Sequence, residues 1–385
     1  MHIWRNLRHK SNTVTLGCVL VLFAAAIAKT DAQQLITFDE PNATAGPLVG
    51  TEAQSINDWG TITGDYADSN GGVHGFVRTA DGKYASFDAP GANPSPGYNC
   101  LYFAGGTCPQ AINDLGAVAG FEGDANGVFH GFVRAADGKI LTFDATGAGT
   151  GAGEGTFPLG INVWGAITGY TIDGNETAHG FLRRIDGTFA IFDAPRAGTG
   201  PGFGTYAASI NDEGAISGAV TDLTGFNHGF VRAPDGKITN FDAPGAASSS
   251  IGTASVLIND AGVVAGLVFQ GSGDVTYGFE GNGSGKLTTF QAPEAGTGGF
   301  EGTNVNALNL EGTTTGYVTD SNEENHTFVR YANGKAVTFD VPGQLALPGS
   351  DFGSAGYGIN AFNVVAGRWH DSNLALHAFV WSPQE

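Results

Sequence analysis

Histidine is the first residue type here whose placement could carry chemistry. His74, His130, His179, His228, His326 and His377 occupy one recurring position, and Tyr277 stands there in the remaining copy. A ring of imidazoles could bind a metal or an anion. Copies a whole repeat apart cannot share one ion unless they line a common axis, and buried backbone in a repeated scaffold needs repeated polar partners of its own. A structural role is therefore the expectation. Asp39, Asp88, Asp144, Asp193, Asp242 and Asp340 come just before tight turns, where a carboxylate bonds local backbone N–H groups.

Oxygen-rich loops come next: Asp68-Ser69-Asn70-Gly71, Asp124-Ala125-Asn126-Gly127, Asp173-Gly174-Asn175 and Asp371-Ser372-Asn373. Their spacing suggests calcium. None has the alternating acidic run with a distal Glu, and two or three oxygens do not make a cage, so ordinary turns are expected ahead of calcium. No other cofactor is expected. The phosphate-binding Gly-rich loop ending in Lys-Ser/Thr, Cys-x-x-Cys, His-Glu-x-x-His and Gly-x-Ser-x-Gly are all absent.

Residues that break the repeat are the better guide, because one site on a repeated scaffold needs asymmetry. Arg368, Trp369 and His370 break it most clearly and are the expected binding residues. Arg183-Arg184, Arg196, Phe269-Gln270 and the insertion from Asn93 to Gln110, with Tyr98, Tyr102 and Phe103, also break it. Drift among surface loops accounts for any one of these taken alone.

The elements that position these residues follow from composition and period. Of 385 residues 62 are Gly and 15 Pro, 41 % are apolar and 14 % charged. That excludes disorder and disfavours helices, whose interiors Gly destabilises by about 1 kcal/mol relative to Ala. Phe-Asp-x-Pro, with variants, begins at Phe38, Phe87, Phe143, Phe192, Phe241, Phe290 and Phe339; the spacing is 49 except for one of 56, which holds the insertion. Ile-Asn begins at Ile56, Ile112, Ile161, Ile210 and Ile258, varies to Leu308-Asn309, and returns at Ile359. A period near 50 means stacked supersecondary units.

Each unit reads as four strands. In the fourth copy these are Thr205 to Ile210, Ala215 to Gly218, His228 to Arg232 and a last strand ending at Phe241-Asp242, with Asn211-Asp212-Glu213-Gly214 and Asp235-Gly236 as turns. The left-handed turn position holds Gly in six copies and Asn363 in the seventh, and Asn tolerates that conformation next best. Four antiparallel strands per repeat and seven repeats predict an all-β fold, a seven-bladed β-propeller. The chain opens on a lone fourth strand, Leu35 to Asp39, and ends after a third strand, His377 to Trp381, so the two are expected to complete the last blade together. Strand parity then places the second-to-third loops and the long interblade loops on one face, where a ligand site should open.

These marks resemble the extracellular repeat family named for the tripeptide His-Ala-Phe, the HAF repeat. The tripeptide is literal at His377-Ala378-Phe379, reads His-Gly-Phe in four copies and His326-Thr327-Phe328 in one, and the resemblance spans residues 35 to 382. It implies an exported, propeller-like repeat protein without an agreed activity, and it supplies no catalytic residues.

The N-terminus carries Arg5, Arg8 and Lys10 and then an apolar run from Val14 to Ala28. This reads as a secretory signal peptide, residues 1 to 32, cleaved after Ala28 or Ala32, leaving one domain from 33 to 385 that is secreted or periplasmic. No membrane span is expected, and the default state is a monomer. The net charge of −20 repels phosphate backbones, which argues against nucleic acid. An oxidising compartment favours a Cys100 to Cys108 disulfide. Two functions fit: a binding or scaffold module for an extracellular glycan or protein, or an extracellular carbohydrate hydrolase or lyase working in the central funnel, with the module preferred.

Overall fold

The computed structural model describes residues 34–93, 105–282, 286–345, 347 and 352–383. The signal peptide and its cleavage sites, Cys100, Tyr98, Tyr102 and Phe103 lie outside the described residues. The described chain forms 28 strands, and its sole helical segment is the 3-10 turn Ala246–Ser248.

Each repeat becomes a four-stranded antiparallel unit. In the fourth copy Gly204–Ile210, Ile216–Thr221, Asn227–Arg232 and Ile238–Phe241 pair in chain order, matching the expected strands closely. The innermost strand carries a bulge, between Ala53 and Ser55 in the first copy, and there it presses on the second strand. A Cβ on Gly64 would sit 1.9 Å from the Glu52 carbonyl oxygen, which is why that position is Gly in every copy. Asn363 takes a φ of 59°, as the turn chemistry predicts for the one copy without Gly.

Units join through aromatic packing. The third-strand rings Phe76, Phe132, Phe181, Phe230, Phe279, Phe328 and Phe379 are fully buried. At five junctions the fourth-strand ring meets the next unit's third-strand ring edge to face, as Phe192 meets Phe230 at 6.1 Å and Phe339 meets Phe379 at 6.0 Å. An arginine of the next unit lies over five of the fourth-strand rings, among them Arg134 over Phe87, Arg183 over Phe143 and Arg232 over Phe192, while Trp381 stacks on Phe339. Arg183 therefore belongs to the scaffold. In six copies a threonine at the start of the innermost strand accepts the backbone N–H that follows the Phe-Asp mark or its variant, as Thr205 does from Ala194 at 2.9 Å; in the seventh Val341 N–H donates to Gln344 instead.

The ends close the structure. Gln34–Phe38 pairs antiparallel with Leu376–Ser382, with Leu35 opposite Trp381 and Phe38 opposite Ala378. At one mouth of the central channel the asparagines of the Ile-Asn mark form an unbroken circuit. Asn57, Asn113, Asn162, Asn211, Asn259, Asn309 and Asn360 each donate Nδ2 to the next one's backbone carbonyl at 2.8–3.2 Å, and Asn360 donates back to Asn57. The same side chains accept, through Oδ1, the N–H four residues on, fixing the turn. Antiparallel four-stranded units packed in sequence and closed on themselves define a β-propeller.

Candidate functional site

The repeated histidines are tied into the scaffold. In each, Nδ1 lies 2.6–2.9 Å from an aspartate 14 residues on: His74 with Asp88, His130 with Asp144, His179 with Asp193, His228 with Asp242, His326 with Asp340, and, across the chain ends, His377 with Asp39. The partner of these aspartates is thus an imidazole rather than the local backbone expected for them. Nε2 faces the loop aspartate of the same unit at 3.4–3.9 Å. The fifth copy loses both members together. Tyr277 replaces His, and Gln291 replaces Asp and instead bridges the Thr276 carbonyl and Thr303.

The loop aspartates also serve their own turns. Asp68 Oδ1 accepts the N–H groups of Asn70 and Gly72 at 2.8 Å, and Asp124, Asp173 and Asp371 do the same in their loops. Burial works against ionisation there, but these N–H groups and the nearby histidine hold the carboxyls below their ordinary value. Among the described residues no three His, Cys, Asp or Glu side chains converge as metal ligands.

The opposite mouth from the asparagine circuit is asymmetric. On one arc it is closed by rings: Phe121 against Phe157 at 5.4 Å, Phe157 stacked on Tyr170 at 5.0 Å, and Tyr170 edge-on to Tyr206 at 5.0 Å, with Cys108 buried in the same cluster. On the other arc a cleft of about 380 Å³ opens between Phe269, Phe300, Asn304, Tyr317, Arg368 and His370. It is built from the ends of second strands, the starts of innermost and third strands, and an interblade loop, the elements that strand parity assigned to the variable face.

Arg368 and His370 line this cleft, while Trp369 does not. Successive side chains of Val365–His370 alternate, so Trp369 turns into the core beside Val341, Phe379 and Trp381 and stacks on His377 at 4.7 Å. Arg368 reaches across the closing junction to the buried Glu52 and lies 4.9 Å from the Tyr357 ring centroid. Burial alone would lower the guanidinium; Glu52, Tyr357 and Asp65 outweigh it and raise it. Asp65, opposite Glu52 in the strand register, is pushed well above the carboxylate range by burial and by the Glu52 charge, against the pull of Arg368. Both carboxyl groups are 2 % exposed. They lie behind Arg368, not in the cleft, so they brace the arginine and do not face a ligand. Burial pushes the His370 imidazole down to about 4, and Arg368 pushes the same way, so the ring is neutral at pH 7.

Other repeat-breaking residues fall elsewhere. Arg196 Nη1 lies 3.4 Å from His228 Nδ1, and Gln270 bonds the Pro244 carbonyl. Sequence reading missed the cleft residues Phe300, Asn304 and Tyr317. It also missed Trp59, Trp164 and Phe362, large exposed rings on the turns around the asparagine mouth. Trp59 and Trp164 each donate Nε1 to the next turn's carbonyl at 3.0 Å.

No family model and no curated protein matches this sequence. Solved structures do share its fold. The BP39L lectin from Burkholderia pseudomallei aligns at a TM-score of 0.50 and 10 % identity, over 87 % of this chain and 97 % of its own. A prolyl endopeptidase aligns at 0.51 and 12 % identity, over 84 % of this chain and 47 % of that one, so this chain spans about half of that enzyme's length. A fungal lectin, that of Aleuria aurantia, described as a six-bladed β-propeller, aligns at 0.37 and 11 % identity, over 91 % of this chain and 94 % of its own. At such identities the likeness concerns the fold. No helix among the described residues is long and apolar enough to cross a membrane.

Proposed function

We propose that this chain is an exported, seven-bladed β-propeller of the HAF-repeat type that binds an extracellular glycan and performs no covalent chemistry. Seven copies of the repeat and the returning asparagine circuit support the blade count. The Cys100 to Cys108 bridge is proposed to staple the insertion. One observation carries the functional reading: at a single mouth Phe300, Asn304, Arg368 and His370, which break the repeat, converge with Tyr317 on an open cleft. Apolar walls with a few placed polar groups are what small-ligand sites require. A lectin among the fold neighbours agrees with a sugar ligand. The buried carboxyls behind Arg368 favour binding over hydrolysis, because a glycosidase needs both of its carboxyl groups against the substrate.

The test is to screen the secreted protein on an immobilised panel of bacterial, fungal and plant oligosaccharides, then titrate the strongest hit. Wild type binds at least one member, and His370→Ala and Tyr317→Ala each weaken it about tenfold or more. Folded wild-type protein that binds none of the panel overturns the reading.

A further inference from the structure

Two interblade loops of this protein have nearly the same sequence. Residues 148–156 read Ala-Gly-Thr-Gly-Ala-Gly-Glu-Gly-Thr, and residues 295–303 read Ala-Gly-Thr-Gly-Gly-Phe-Glu-Gly-Thr. Their backbones bond alike. Glu154 N–H donates to the Gly151 carbonyl and Glu301 N–H to that of Gly298, while Gly151 N–H donates to Glu154 and Gly298 N–H to Glu301, both at 2.6 Å. At the matched position Gly153 has a φ of 84° and Phe300 a φ of 64°. Only the second is an L side chain held in the left-handed region, a strained placement for a bulky residue.

The scaffold gains little from that strain. Phe300 is 63 % exposed, and among the described residues its ring meets one other, Phe269, edge-on at 6.1 Å. Phe269 itself stands where four other copies carry the smaller Ala67, Gly123, Thr221 and Thr319, and two carry Ile172 and His370. Both rings belong to the cleft. A strained, exposed aromatic fixed over an open cavity points to a ligand, since nothing in the fold calls for it.

From this geometry we infer that Phe300 is the stacking platform for a sugar ring and that the ligand of this cleft is a neutral glycan. This rests on the glycan-binding reading above and narrows it. Asn304, Asn325 and Tyr317 line the same cleft with uncharged groups suited to hydroxyls. The cleft's one arginine has its charge answered by Glu52, with Asp65 alongside. His370 is uncharged at neutral pH because it is buried. A carboxylate or sulfate on the ligand would find no unanswered cation here and would enter the field of a chain of net charge −20.

The experiment compares wild type with Phe300→Gly on matched probes: neutral oligosaccharides and their uronate, sialylated and sulfated counterparts. Neutral members bind, acidic counterparts bind at least tenfold more weakly, and Phe300→Gly loses at least tenfold in affinity while melting at the same or a higher temperature. Tighter binding of acidic members removes the neutral assignment and leaves the glycan reading standing. Wild-type affinity in folded Phe300→Gly removes Phe300 as the platform. Binding of neither class removes the glycan reading itself.

Discussion

The loops 148–155 and 295–302 share a backbone path and differ in what surrounds them. Beneath the first, Phe157 and Tyr170 stack and close the wall, and the preceding unit ends its second strand in Gly123. Beneath the second, Asn304 and Tyr317 hold the matching positions, the preceding unit supplies Phe269, and the following one supplies Arg368 and His370. The first region is core. The second keeps a cavity open beneath a ring that the loop holds under strain. One repeat thus serves two ends: where its copies agree, as in the asparagine circuit and the His-Asp pairs, they hold the propeller; where they differ at one mouth, they open a cleft.

The most severe way to break the comparison is to remove the charge behind the cleft. Glu52→Ala removes the ion-pair partner of the partly buried Arg368 guanidinium at the closing junction and leaves only the buried Asp65 beside it. We expect a loss of about 3–5 kcal/mol by denaturant unfolding. A loss below about 1 kcal/mol would show that the pair contributes little to closure.

A smaller effect sharpens it. A Cβ at Gly153 meets nothing within 4 Å, so Gly153→Phe adds backbone strain without a clash at that atom. It should cost about 1–2 kcal/mol, and Phe300→Gly should recover a comparable amount, less the entropy Gly adds to the unfolded chain. Destabilisation by Phe300→Gly as large as that of a buried Phe would mark the ring as packing.

The smallest effect concerns pH. Hydrogen bonds to Asp340 raise His326, and Asp144 raises His130 against the opposing effect of burial, both from 6.5. A raised histidine stabilises the fold fully below its unfolded value and ceases to do so as pH rises through the folded one. The lowered loop aspartates, ordinarily 3.8, stabilise above that value and are lost as pH falls through their folded values. Burial lifts Glu122 from 4.5 to about 7, a contribution present below 4.5 and lost on the way up to 7. The melting temperature should peak at about pH 4–4.5 and decline from there toward pH 7, and Glu122→Gln should flatten that decline up to about pH 6.5. A maximum above pH 8 would contradict these assignments.

Much of this was legible because a repeat states the same physics many times. The strand order, the Asn363 turn and the pairing of the two chain ends follow from turn residues and parity. The His-Asp pairs could have been read too, since five of them are 14 residues apart and the fifth copy changes both positions together. The roles of Arg368, Trp369 and His370 needed strand alternation applied to consecutive residues, which divides them between cleft and core. Phe300 needed a comparison of loops: a Phe where a twin loop has Gly is visible in sequence, but its meaning depends on a positive φ that sequence does not display.

The central claim is that the site lies where the repeat is broken, and a swap tests it most directly. Combining Phe300→Gly with Gly153→Phe keeps composition and moves one ring from the open arc to the closed one. On the strongest neutral glycan from the panel, the swapped protein should fold with wild-type circular dichroism and lose at least tenfold in affinity by calorimetric titration. Unchanged affinity in the folded swap would contradict the account.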